Sequence, residues 1–186
     1  MWYPASILAP ATEPVTLAQA KSHLRVDHSD DDTLIAGLIK AARAHLEAAC
    51  AVRLSARTGV TFKCDGFADF ARLPEAPLTA VTSIVYLDQT GTSQTLSSTV
   101  YELRSDGLDA SIVLKPDQSW PAVQMGSRIT VTATVGYQTA PEDLSHALLL
   151  LVGHLYESRS AVSMGETGAE LPLGVNALIS NHRRGV

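Results

Sequence analysis

Ile129-Thr-Val-Thr-Ala-Thr-Val135 alternates four apolar side chains with three threonines, and this period of two marks a strand with one buried face. Working back from it, the same period runs through Val60–Cys64, Ser83–Leu87, Gln94–Leu96, Val100–Arg104 and Ser111–Leu114. Asp88-Gln-Thr-Gly-Thr92 and Ser105-Asp-Gly-Leu108 have the composition of hairpin turns. Strands close in sequence and joined by turns imply an antiparallel sheet or small barrel, not a wound parallel sheet.

On both sides of this region the period changes to 3.6. Downstream, Pro141-Glu-Asp143 opens a helix, with proline tolerated in the first turn and acids favoured there. Leu144, Leu148, Leu151 and Leu155 form one stripe on it, and Leu149, Val152 and Tyr156 an adjacent one. Leu150 lies on the back with His146, Gly153 and Glu157. Upstream, Thr16-Leu-Ala-Gln19 is a capping box, stapled by Val15, for a short helix through Leu24. Ser29 is the expected cap of a second helix from Asp31 to Val52, with Asp30, Asp31 and Asp32 opposing the helix dipole.

The second helix carries a broad apolar arc of Leu34, Ile35, Leu38, Ile39, Ala42, Leu46 and Ala49, with His45 expected to be buried within it. Beside the arc, Gly37, Ala41, Ala44 and Ala48 form a ridge with almost no side chains, which lets another backbone approach closely. That partner is either another part of the chain or a neighbouring subunit. The expected class is α+β: a small helical bundle (15–55 and 141–162) carrying an inserted antiparallel β-sheet region (60–136), within one domain spanning 1–186. Ser163–Glu170 reads as a linker. After it, Leu171-Pro-Leu-Gly-Val-Asn-Ala-Leu-Ile179 is an apolar tail too short for a core of its own, and such a terminus has to dock on something.

Composition narrows the function. With 46% hydrophobic and 18% charged residues, the 186-residue chain falls in the ordinary globular class. A net charge of -5 provides no footprint for wrapping nucleic acid, although it suits a passive wall past which DNA moves. Cys50 and Cys64 are wrongly spaced for zinc, and Cys50 falls on an apolar helix face, where a buried thiol is expected. Met1-Trp-Tyr-Pro-Ala5 lacks the pattern of a signal peptide. The longest apolar run, Ala147 to Val152, is far short of the roughly 20 residues of a membrane span. A reducing, cytosolic setting is expected, with no membrane partner.

Patterns that carry chemistry are few in the chain. Gly165-Glu-Thr-Gly168 has neither the spacing nor the lysine of a phosphate loop. The three adjacent aspartates point about 100° apart along a helix and cannot converge on one ion. His154 and Glu157 would need a matching pair on a second helix, which offers only Glu47 on its polar back. No serine sits in a nucleophile elbow. Neither catalysis, nor a cofactor, nor a metal is expected.

Several stretches, in order, resemble the head–tail connector (adaptor) proteins of long-tailed bacteriophages and gene transfer agents. Val15-Thr-Leu-Ala-Gln-Ala-Lys-Ser-His-Leu-Arg-Val-Asp27 followed by Asp30-Asp-Asp-Thr-Leu-Ile35 is similar to the family's opening helix, acidic cap and long helix. Leu73-Pro-Glu-Ala-Pro-Leu78 and Val81-Thr-Ser-Ile-Val-Tyr86 resemble the entry to its inserted sheet. Trp120-Pro121 and Val135-Gly-Tyr137 resemble later strand landmarks, and Ala147–Glu157 with Leu171-Pro-Leu-Gly-Val175 its closing helix and tail.

The resemblance implies a structural protein without catalytic residues. It would form a ring, expected to be dodecameric, between the portal protein and a tail-completion or stopper protein. DNA would pass through the lumen without sequence-specific binding. Assembly would take place in the bacterial cytoplasm, and the final location would be the neck of the particle. On this reading Gly37, Ala41, Ala44, Ala48, Leu150 and Gly153 are candidate subunit-interface residues, since a ring needs two complementary faces per subunit. Leu173, Val175, Leu178, Ile179, Arg183 and Arg184 are candidate portal-docking residues, on a tail (Leu171 to Val186) expected to be mobile alone and to order on the portal. Asp88–Thr92 is a further candidate contact, facing the lumen or the next ring. The alternatives are a monomeric α+β protein-binding module with an apolar docking tail and, more distantly, a small hydrolase.

Overall fold

A computed structural model describes residues 1–6, 9–158 and 173–185. The chain divides into two compact units, one of Met1–Ala11 and Ala56–Gly136, the other of Thr12–Ser55 and Tyr137–Val186. The first is built on strands and the second on helices, so the class is α+β.

The strand unit contains β1 (Trp2–Ser6), β2 (Arg57–Cys64), β3 (Leu78–Leu87), β4 (Ser93–Thr95), β5 (Tyr101–Asp106), β6 (Asp109–Leu114) and β7 (Ile129–Val135). One antiparallel sheet has the order β1-β2-β7-β3-β4, and β5 and β6 form a separate two-stranded ribbon. The alternating stretch, β7, is a central strand. Its register pairs Val131 with Phe62 on one side and Ile84 on the other, aligning the apolar alternates of three strands on one face. Ile129, Val131, Ala133 and Val135 are fully buried there, together with Val60, Phe62 and Cys64. From the ribbon Tyr101, Ala110 and Ile112 join the same core.

Strand β1 was not anticipated from the sequence. Pro4 lacks an amide donor, and a proline inside an apolar run argues against a central strand. At the sheet edge that objection disappears, because one row of backbone groups needs no partner. Trp2 anchors the strand: its indole donates to the Asp69 and Arg72 carbonyls at 3.1 and 2.8 Å, and its ring stacks on Phe70 at 6.1 Å.

In the helical unit the elements are α1 (Leu17–Leu24), α2 (Asp32–Cys50), α3 (Glu142–Glu157) and α4 (Leu173–Ile179), the last running into a 3-10 turn at Ser180–His182. The capping box at Thr16 and Gln19 is formed in both directions. The cap of α2 is Asp31, not Ser29, whose carbonyl instead accepts the Asp32 amide at 3.2 Å. The aspartates tie helices together: Asp32 pairs with Lys21 of α1 at 2.6 Å, and Asp31 accepts from the Tyr156 hydroxyl of α3.

Two further expectations for α2 are corrected. Its buried stripe is narrower than the apolar arc, consisting of Ile35, Ile39, Ala42, Leu46, Glu47 and Cys50. Thus His45 is exposed, and Leu34 is 41% exposed. Glu47, assigned to the polar back, is only 4% exposed. Its carboxylate accepts from Arg43 at 3.2 Å and from the Leu54 amide at 3.1 Å, with Arg53 at 3.8 Å. These donors make its burial tolerable.

Candidate assembly surfaces

The small-residue ridge of α2 is a solvent face. Gly37, Ala41, Ala44 and Ala48 are all exposed, as are Thr33, Leu34, Lys40 and His45 around them. A Cβ added at Gly37 would meet nothing within 4 Å. Of the two partners open to this ridge in the sequence, one within the chain does not occupy it among the described residues.

The back of α3 is different. A Cβ at Gly153 would lie 3.6 Å from the His23 imidazole and 3.9 Å from Leu24, both on α1. His23 also meets His146 edge-on, with ring centroids 6.4 Å apart. Leu150, between these positions on the helix, is half-buried. The glycine therefore admits α1 of the same chain, a role that spacing along α3 alone could not distinguish from admission of a neighbour. On the opposite side Leu144 and Leu148 are fully buried and Leu151 is 5% exposed, while Leu155 is half-buried.

The tail is corrected most. Residues 173–185 are folded, and Val175 and Ile179 are completely buried in the helical unit. The His182 ring bonds Asp143 of α3 at 2.5 Å, and the Arg184 amide donates to the Cys50 carbonyl at 2.9 Å. Burial pushes the Asp143 carboxyl up, but the bonds from His182 and the Leu144 amide outweigh it and hold the group below its ordinary range. Of the docking candidates, Leu178 is half-buried, Arg184 is half-buried and Arg183 is exposed, its guanidinium donating to Asn176 at 2.9 Å. The Leu173 side chain, residues 171–172, Val186 and the linker Ser163–Glu170 lie outside the described part.

In the strand unit, the turn between β3 and β4 is tightly organised. The Asp88 carboxylate accepts from the Thr90 hydroxyl at 2.6 Å, the Thr90 amide at 2.9 Å, the Thr92 amide at 3.0 Å and the Gln94 side chain at 3.0 Å. These donors, the Thr90 hydroxyl first, lower its pKa to about 2. A second turn lies beside it. The Gln124 amide donates to the Leu87 carbonyl at 2.9 Å, and a Cβ at Gly91 would come 3.8 Å from the Gln124 side chain. Gly126, at φ +75°, lets the chain reverse there, and Ser127 closes the turn onto the Gln124 carbonyl through its amide and hydroxyl at 3.1 and 2.7 Å. At its apex Met125 is 98% exposed. The sequence offered a signal for the first turn but none for the pairing of the two.

Chemistry-bearing groups are dispersed. Cys50 and Cys64 are buried free thiols; burial pushes Cys64 up to about 12 and raises Cys50 as well. Among the described residues no group of three or more His, Cys, Asp and Glu side chains could hold a metal ion, and no helix is long and apolar enough to cross a membrane.

The model of a protein family described as head completion protein matches residues 14–185. Among solved structures the chain is similar to one in the neck of an empty gene transfer agent particle computed with C6 symmetry. That match has 23% identity and a TM-score of 0.75, covering 100% of this chain and 96% of the other. It is also similar to a chain in the virion of a native gene transfer agent particle, with 24% identity, a TM-score of 0.76 and the same coverages. A third match is in the neck of a native particle computed with C12 symmetry, at 23% identity and TM-score 0.71, covering 97% and 94%. At these identities the likeness shows the fold. No curated protein matches the chain.

Proposed function

The chain, a structural head–tail connector of a phage-like particle, belongs to the head completion protein family, and from that premise we propose that it assembles as a dodecameric ring between the portal protein and a tail-completion or stopper protein. The observation that carries this reading is the family match across residues 14–185. The ring is supported by fold relatives lying in particle necks, one computed with C12 symmetry. Cyclic assembly repeats one heterologous contact, so each subunit presents two different faces. The exposed ridge Gly37, Ala41, Ala44 and Ala48 is the first, because it is smooth and uncovered among the described residues.

Portal docking falls to Leu178 on α4 together with Arg183 and Arg184, which follow the 3-10 turn. Val175 and Ile179 already serve the helical unit. The role is structural, without catalysis. The shifted carboxylates and thiols have local causes, namely turn bonds, burial and the His182 contact. DNA passes through the ring, and the net charge of -5 keeps it from adhering to the wall.

Deleting the gene in a producing strain tests the function directly. Filled heads without tails, restored by the wild-type gene, are the expected result; tailed particles lacking the protein would refute it. Ala44→Trp then tests the ridge: soluble, folded protein that no longer enters particles is expected, and normal incorporation would remove the ridge from the interface.

A further inference from the structure

An apolar cleft of about 330 Å³ opens in the helical unit between the segment leading into α1 and the side of α2. Val15, Leu17, Ala36 and Ile39 line it, with Glu13 and Lys40 at its polar margin. It contains no convergent set of polar groups such as fixes a small polar ligand, and its size is at the low end of the roughly 300–1,000 Å³ of ligand pockets. Ala36 and Lys40 flank Gly37 and Ala41, so the cleft is continuous with the ridge that faces a neighbour in the ring proposed above. Arg43 already pairs with Glu13 at 2.7 Å, which leaves Lys40, an exposed residue, as the charge at the rim.

The strand unit carries an apolar projection. Met125 is an apolar side chain, 98% exposed, on a turn whose backbone is fixed by three hydrogen bonds and braced beside the Asp88 turn. A single exposed apolar residue is ordinary on a protein surface. One displayed on a pre-ordered turn is less so, since docking it costs little conformational entropy. Methionine also adapts to irregular apolar holes. The tip, residues 88–95 with 123–127, contains a single charged group, the Asp88 carboxylate, which stays ionised down to a pH of about 2. A negative tip does not suit DNA or an anionic membrane as its partner. It does suit a rim bearing Lys40.

We propose that the paired-turn tip of one copy seats in the cleft of the next, with Met125 filling the apolar pocket and Asp88 approaching Lys40. This rests on the ring assembly proposed above. An apolar projection and a matching pocket on one chain are the two halves of a heterologous contact, which propagates around a closed ring. A buried anchor with a charged partner at the rim is also the usual anatomy of a strong interface.

The test uses particles from cells producing two forms with one added cysteine each, Met125→Cys and Ala36→Cys, treated with a short bis-maleimide. Both native cysteines are buried and contribute little background. A covalent dimer of this chain is expected when the two forms are produced together, and only then. Particles that contain the protein but give no dimer refute the seat while leaving the ring reading intact. A dimer from Met125→Cys alone also refutes it, in favour of tip-to-tip contact. Absence of the protein from wild-type particles would sink the ring reading and this inference together.

A substitution series provides the second arm. Met125→Ser, which removes the apolar anchor, and Lys40→Glu, which sets a like charge against Asp88, should each reduce incorporation into particles roughly tenfold or more. Unchanged incorporation of either variant overturns the seat. Thermal unfolding of each purified variant checks that the fold survives.

Discussion

Ile179→Ala separates a tail that belongs to the core from one held ready for a partner. Ile179 is fully buried in the helical unit, and the substitution removes three buried carbons. At about 0.8 kcal/mol per buried carbon the transfer loss is roughly 2.4 kcal/mol. The cavity adds a further cost that depends on how far its lining relaxes, placing the total at about 2.5–4.5 kcal/mol, within the range seen for such truncations. For a chain of this size each kcal/mol lowers the midpoint by about 2–4 °C, so a fall of about 5–18 °C is expected. The assay is thermal unfolding of the purified full chain by far-UV circular dichroism, with urea unfolding as a second measure. Arg183→Ala is the control: its exposed side chain should cost no more than about 0.5 kcal/mol. If Ile179→Ala melts with the control, α4 is not core and the reasoning fails.

Other perturbations follow from the same contacts. Glu47→Ala removes the buried acceptor of the Leu54 amide and should cost about 1–3 kcal/mol by urea unfolding, since Arg43 keeps Glu13; a loss below about 0.5 kcal/mol would contradict that account. The Asp88 turn should be pH-sensitive only in strong acid. Its folded pKa is depressed from 3.8 to about 2, so the stabilisation is complete above 3.8 and disappears as pH falls through about 2. Thr90 and Thr92 amide shifts followed by NMR should titrate near 2, and a midpoint at the ordinary value would refute the bonding scheme. Cys64, held up to about 12, should resist maleimide at neutral pH until the protein is denatured; rapid labelling of the native protein would show that its site opens.

Periodic and local features were legible in the sequence. The threonine alternation of β7, the Thr16–Gln19 box and the Asp88 turn each depend on residues a few positions apart, and each is formed. The family resemblance was legible as well, because it resides in ordered short stretches. Misreadings occurred where a distant partner set the outcome. Glu47 reads as polar and outward until Arg53 and the Leu54 amide fold back onto it. His45 and Leu34 lie within an apolar arc, but the neighbouring elements cover only a narrower stripe of α2. Strand β1 depends on an edge position beside β2 that its own residues cannot announce.

For assembly, the same division holds. The small-residue face of α2, the lone glycine on the back of α3 and the apolar character of the terminus are all legible in the sequence, because composition and spacing are properties of the chain. Tertiary structure alone decided which of these surfaces remain open. Packing is a competition for apolar area: α1 claimed the space at Gly153, the helical unit claimed Val175 and Ile179, and the ridge at Gly37, Ala41, Ala44 and Ala48 was left exposed.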